Sequence, residues 1–160
     1  MNRPNMLDPV QFLAFGFGSG LSPKAPGTVG KAVALLLYWL APELTPVLHA
    51  VVLLPLTAVG IWLCGEASRR LGVHDHGGIG WDEFIGLWIS GWALPKTLPW
   101  MVAAFLLFRW LDIRKPGPIG WLDRNTHGGF GIMIDDVAAG VVASLILLAA
   151  LHSGVLDLIL

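Results

Sequence analysis

From residue 45 to residue 64 the chain runs for 20 residues without a single Asp, Glu, Lys or Arg. As a helix rising about 1.5 Å per residue, that run matches the ~30 Å hydrocarbon core of a bilayer. A backbone in such surroundings must satisfy its own hydrogen bonds, so the run is expected to be helical. Four further apolar runs cover residues 28–41, 84–94, 98–108 and 137–151, the last extending toward Leu156; Pro42-Glu43 and Pro95-Lys96-Thr97 interrupt them. The shorter runs must tilt, thin the bilayer or sit inside a bundle. Composition agrees, with 55% hydrophobic and 13% charged residues, where a soluble domain has about a quarter charged. The expected fold is all-α, a multi-helix membrane-embedded bundle with short helices and helical hairpins, in one domain over residues 1–160. A net charge of −1 offers no basic field for nucleic acid. One cysteine, Cys64, excludes an intramolecular disulfide and a cysteine-based zinc site. The N-terminus lacks an apolar core followed by a small-residue cleavage site, so no signal peptide is expected.

Charge placement decides which ends share a side. Arg3, Lys24 and Lys31 lie before or at the start of the first run, and Arg69 and Arg70 follow the second. Arg109, Arg114, Lys115 and Arg124 separate the fourth from the fifth, and Lys96 stands between the third and fourth. If residues 84–108 form a helical hairpin, every cation except Lys96 falls on one face, which the positive-inside rule makes cytoplasmic. A single broken span would put Asp82-Glu83 and Asp112 on opposite sides. The hairpin is therefore expected, and with it one cytoplasmic site.

Five of the eleven acidic side chains fall in three clusters at the edges of apolar runs: Asp82-Glu83, Asp112 with Lys115 close behind, and Asp135-Asp136. Neighbouring carboxylates repel, and near a membrane they are costly unless a cation or a proton compensates. A hard divalent cation on oxygen ligands answers that need. His74 and His76 flank Asp75 in a pattern that also suits a transition metal. The carboxylate-rich surroundings favour magnesium or manganese, and the two histidines read as loop residues. Helix capping accounts for one of Asp82 and Glu83. Asp112 and Lys115 share a helix face ahead of Pro116. Asp135 and Asp136 are expected at the start of the last helix, splayed by ~100°, one toward a metal and the other capping or supporting. His127, between two Gly-containing stretches, is a candidate acid or proton shuttle, against a plain loop donor.

The Gly-, Ser- and Pro-rich segment 15–30 leads into the first helix. Ser22, Lys24 and Thr28 there suit the oxygens of a phosphate at a helix N-terminus; the alternative is a structural turn. It is not a P-loop, because no Gly-Lys-Ser/Thr follows at the required spacing. Cys64 and Arg70 have the Cys-x5-Arg spacing of cysteine-dependent phosphatases. However, Cys64 ends a long apolar helix and Glu66 would place a negative charge inside the cradle, so the match is read as accidental.

The four segments, in order, resemble the bacterial phosphatidylglycerophosphatase A family. They are Pro-Lys-Ala-Pro-Gly-Thr-Val-Gly, Val-His-Asp-His-Gly…Trp-Asp-Glu-Phe-Ile-Gly, Asp-Ile-Arg-Lys-Pro, and His-Gly-Gly…Met-Ile-Asp-Asp-Val-Ala-Ala-Gly. The resemblance covers roughly residues 12–140. It implies an all-helical, magnesium-dependent inner-membrane enzyme that dephosphorylates phosphatidylglycerophosphate to phosphatidylglycerol. It also carries a functional role to Lys24, Thr28, Asp82, Glu83, Asp112, Lys115, Asp135 and Asp136. The implied chemistry is in-line attack of water on a phosphomonoester, with Asp82, Asp112, Lys115 and Asp136 as catalytic residues. A covalent aspartyl-phosphate is the other route, although no Asp-x-Asp-x-Thr/Val signature supports it. Two departures stand out: Lys31, in place of a usually small residue, and Gly117, in place of a bulky one. Both are expected to alter only the local loop shape. A divalent-cation or proton-coupled carrier is the rival reading, and it would want acids at the centres of the apolar runs. A non-catalytic membrane adaptor would leave the five acids unexplained.

Overall fold

The computed structural model describes residues 3–155 and 158. Among these, seven α-helices and one 3₁₀ turn account for the regular structure, and there is no strand. The helices are α1 (Pro9–Ala14), α2 (Pro26–Leu40), α3 (Pro46–Leu71), α4 (Trp81–Ser90), α5 (Leu98–Arg114), α6 (Pro118–Asn125) and α7 (Gly128–Ser153); the 3₁₀ turn Ser19–Leu21 precedes α2. The chain's prolines explain several starts. A proline stands in the first turn of α1, α2, α3, α5 and α6, where its missing N–H costs no helical hydrogen bond. Thr45 caps α3 by accepting from the Leu48 N–H at 3.3 Å, and Gly72 ends it with φ of 70°.

The bundle is built around α7, which packs against α3, α4, α5 and α6. Two close approaches set its position. A Cβ on Gly140 would stand 2.5 Å from the Gly86 carbonyl oxygen, and one on Gly129 would stand 1.8 Å from that of Ile61. Only glycine lets α7 come so near α4 and α3. The Trp81 indole donates to the Leu56 carbonyl and Trp88 to that of Ala34, which ties α4 to α3 and α2. Two apolar cores result. Phe15, Leu63, Leu71, Ile132 and Met133 pack on one side, while Phe84, Leu87, Phe108, Ala139 and Ala143 pack on the other. Large apolar side chains such as Leu36, Leu54, Trp62, Leu106 and Leu145 point outward. Helices apolar on their outer as well as their inner faces suit hydrocarbon surroundings. α3 and α7 are the two helices, among the described residues, long and apolar enough to cross a membrane.

The expected hairpin is present. α4 and α5 pack together, and their connection lies at the far end, where Lys96 donates to the Ala41 carbonyl. Four boundaries differ from expectation, the first being α4, which starts at Trp81 and ends at Ser90 rather than Leu94. α3 continues past Cys64 to Leu71, because Glu66 pairs with Arg69 and Arg70 along its polar last turns. α5 continues past Phe108 to Arg114 and so carries Asp112 on a helix. α7 begins at Gly128 rather than Val137, because Gly131, Ile132 and Met133 are buried against the bundle and hold the glycine-rich stretch helical. Asp135 and Asp136 therefore lie inside α7 and do not cap it.

Candidate active site

The three acidic clusters come together at one end of the bundle. Asp82 and Glu83 occupy the first turn of α4, Asp112 the last turns of α5, and Asp135 and Asp136 the third turn of α7. With Asp75, His76, Gly77, Ile79 and Lys115 they line a cleft of about 160 Å³. At roughly 30 Å³ per water, that is room for about five water molecules or a small oxyanion with its ligands. Gly86 makes the arrangement possible. A Cβ there would stand 2.8 Å from the Asp136 carbonyl oxygen and 2.4 Å from the Phe108 ring.

Asp136 is 2% and Asp82 7% exposed. Asp136 lies close enough to Asp82 and Asp112 for their negative charges to act on it. One carboxylate oxygen from each of Asp112, Asp135 and Asp136 lies within 4.8 Å of the other two. The Asp82 Oδ1 atom is buried without a hydrogen-bond partner. A buried carboxylate oxygen left alone is costly. Three carboxylate oxygens this close, in a cleft that Asp82 also lines, are the donor set of a hard divalent cation, whose metal–oxygen distances are about 2.1 Å for magnesium.

Two lysines flank these acids. Lys115, left-handed at the end of α5 with φ of 45°, donates to Asp135 and lies 3.3 Å from Asp123 and 3.9 Å from Asp112. Burial alone would lower the pKa of Lys115. The hydrogen bond and charge of Asp135, with Asp136 and Asp112 behind it, instead hold the ammonium well above the ordinary lysine range. On the opposite side Lys31 is 0% exposed, 2.8 Å from Glu83 and 2.9 Å from Asp112. Arg109 adds a third cation 3.5 Å from Asp112. The acids still outnumber the cations.

The structure sorts the residues singled out in the sequence. Asp82, Glu83, Asp112, Lys115, Asp135 and Asp136 share the cleft, with Glu83 turned to Lys31. Ser22, Lys24 and Thr28 are not among the cleft's walls. The Ser22 hydroxyl donates to the Lys24 carbonyl at 2.8 Å, and the Lys24 side chain is exposed. Their segment reaches the site through Gly27 and Gly30, where an added Cβ would crowd the Glu83 carboxylate. His127 is exposed, its ring edge-on to His74 at 6.3 Å. His76 uses Nδ1 to accept from the Gly78 N–H at 2.9 Å, as a loop residue would. Cys64 is fully buried within α3, and Arg70 reaches Asp8 and Glu66, so no phosphate loop joins them. Asp75 is a cleft wall that the sequence offered only as the partner of its flanking histidines, and Lys31, expected to alter only the local loop shape, is instead buried behind the cleft between Glu83 and Asp112. The signal for Lys31 was its place as the lone charge in an otherwise uncharged stretch from Ala25 to Pro42.

Fold and site together define a class: a small all-helical protein with an apolar outer surface and a carboxylate-and-lysine cleft at one end of the bundle. Residues 12–151 match the family model described as Phosphatidylglycerophosphatase A, so the chain belongs to that family and is a phosphatase. It is 49% identical over 147 residues to the Escherichia coli (strain K12) protein named phosphatidylglycerophosphatase A, covering 91% of this chain and 86% of the relative. A Haemophilus influenzae protein of the same name is 42% identical over 154 residues, covering 93% of each chain. No solved structure matches the chain.

Proposed function

We propose that the protein hydrolyses phosphatidylglycerophosphate to phosphatidylglycerol and inorganic phosphate. In this reading it requires magnesium and acts in phospholipid biosynthesis as a multi-pass protein of a bacterial inner membrane, with its cleft on the cytoplasmic side. The observation that carries the reading is the convergence of Asp82, Asp112, Asp135 and Asp136, from three helices, on one cleft, where oxygens of the last three lie within 4.8 Å of one another and an Asp82 oxygen is buried without a partner. Both relatives are bacterial proteins bearing the name of this activity. The excess of Lys and Arg at the cleft end supports the cytoplasmic assignment.

Asp82, Asp112, Asp135 and Asp136 would hold the magnesium. When bound, it supplies a Lewis acid that polarises the phosphoryl group and lowers the pKa of a coordinated water. In the hydrolysis, the water oxygen bonds to phosphorus and the bond from phosphorus to the glycerol oxygen breaks. A proton given up by the attacking water balances the one that the leaving glycerol oxygen takes up, so the alcohol departs as a hydroxyl. Lys115, held charged at the rim, offsets the negative charge that gathers on the phosphoryl oxygens. Arg109, partly exposed beside Asp112, can meet the same headgroup. Lys31, fully buried, does not touch substrate. The outward apolar faces of α3 and α7 would keep the acyl chains in hydrocarbon while the headgroup enters the cleft.

A carrier would need ionisable groups along the bundle. Beyond Asp136, the buried positions of α7 are Ala139, Gly140, Ala143, Ser144 and Leu147, which offer no ionic path. The test of the enzyme reading is phosphate release from the lipid in detergent micelles, with magnesium and after chelation. Asp82→Asn and Asp136→Asn are each expected to lose at least about 100-fold in rate, within the scale of lost metal-centre stabilisation. Full activity in both variants, or undiminished turnover after chelation, overturns it.

A further inference from the structure

We propose that Lys31 is a built-in cation of this centre: its ammonium fills the position between Glu83 and Asp112, so the cluster takes one divalent ion rather than two. The inference rests on the magnesium reading above and goes beyond it, by fixing the number of ions and removing Glu83 from the ligand set.

The geometry is that of a bound cation. The Lys31 Nζ lies 2.8 Å from Glu83 Oε1, 2.9 Å from Asp112 Oδ2 and 5.5 Å from the centroid of the Phe108 ring. An ammonium has three N–H groups and no acceptor, so two carboxylates and a ring face make a fitting set of neighbours. The side chain enters from α2, whereas its two carboxylate partners come from α4 and α5. Gly27 and Gly30 on the same helix leave the space into which the Glu83 carboxylate is pressed. With no exposed surface, Lys31 cannot bind a substrate phosphate. Its work must go through Glu83 and Asp112, which makes it a positioning residue.

Charge gives the reason for such a device. Five carboxylates this close would draw two divalent ions, which in two-metal hydrolytic sites lie about 3.5–4 Å apart. Here the acids are divided into wings. Lys31 satisfies Glu83 and one oxygen of Asp112, and Lys115 satisfies Asp135. Between the wings stand Asp136 and Asp82, the latter 7% exposed and lining the cleft with an unpartnered oxygen. Asp136, with the one oxygen that each of Asp112 and Asp135 brings within 4.8 Å of it and with Asp82 beside it in the cleft, offers the place for one divalent ion. Beside Lys31 a second would meet a fixed positive charge already at hydrogen-bond distance from the ligands it needs.

The experiment counts ions without turnover. The purified full-length protein in detergent is titrated with Mn2+, and free and bound Mn2+ are separated by electron paramagnetic resonance. The wild type is expected to bind one ion, with no spin-coupled pair. Lys31→Met, which keeps length and removes charge, is expected to bind two and to show the coupled signal of ions about 4 Å apart. Glu83→Gln is expected to stay at one ion with Kd within about threefold, since Lys31 still fills the position. Two ions in the wild type, one ion in Lys31→Met, or a tenfold weakening in Glu83→Gln overturns the proposal. Should Lys31→Met not fold, the wild-type count and Glu83→Gln decide. A wild type that binds no Mn2+ at all fails the metal reading itself, a different result from binding the wrong number.

Discussion

Lys115 is the cation best placed to act on substrate, because it combines a held charge with partial exposure at the cleft rim. Lys115→Ala is expected to lower kcat by about 100-fold with a smaller change in KM, as when one preorganised donor to a developing oxyanion is removed. Steady-state rates on the lipid substrate check this, and an equal loss confined to KM would assign Lys115 to ground-state binding instead. The carboxylates were legible one by one, since paired acids beside apolar runs have few structural uses. Lys31 was not. Its partner Glu83 is 52 residues away, and no local spacing announces a contact of that range. Cys64 shows the converse. Its spacing to Arg70 matches a catalytic motif, but a helix interior cannot wrap a phosphate. Cys64→Ala is expected to keep activity within about threefold, a modest change for one small buried side chain, whereas inactivation in a folded variant would restore the cysteine mechanism.

Among the elements, α7 carries the site through its packing. Asp136 meets Asp82 because Gly140 and Gly86 let two helix backbones touch. Gly140→Val is expected to destabilise the folded protein by about 1–3 kcal/mol through overpacking. It should also weaken Mn2+ binding more than the distant substitution Leu145→Val does. Thermal unfolding in detergent and the Mn2+ titration read the two effects separately. The start of α7 was misjudged by nine residues because Gly128-Gly129 and Gly131 read as a loop from propensity. The helical state comes from packing, with Gly129 against Ile61 and Gly65 of α3 and Gly131, Ile132 and Met133 buried, which no single-segment pattern contains. The ends of α3 and α5 were misjudged for a related reason. Their last turns are polar, and apolar periodicity stops before the helix does.

At the scale of the whole molecule, the two ends of the bundle differ in charge as an oriented membrane protein requires. In a Cys64→Ala background, a cysteine at Arg114, exposed at the cleft end, should react with an impermeant maleimide only in inverted membrane vesicles. One at Thr97, exposed at the far end, should react only from the opposite side. Labelling of both from one side would refute the α4–α5 hairpin topology. The apolar runs and the charges between them were enough to foresee an all-helical bundle, the α4–α5 hairpin and a single acidic end, because hydrophobic period and charge exclusion act locally along the chain. The family followed from motif order for the same reason. Which acid faces which cation was decided only by the tertiary structure. Gly27, Gly30, Gly86, Gly129 and Gly140 set how closely the helices approach, and that spacing brings Lys31 between Glu83 and Asp112 while leaving one Asp82 oxygen unpaired. Coulomb energies in a buried cleft depend on separations of a few ångströms, and those separations exist only once the helices have packed.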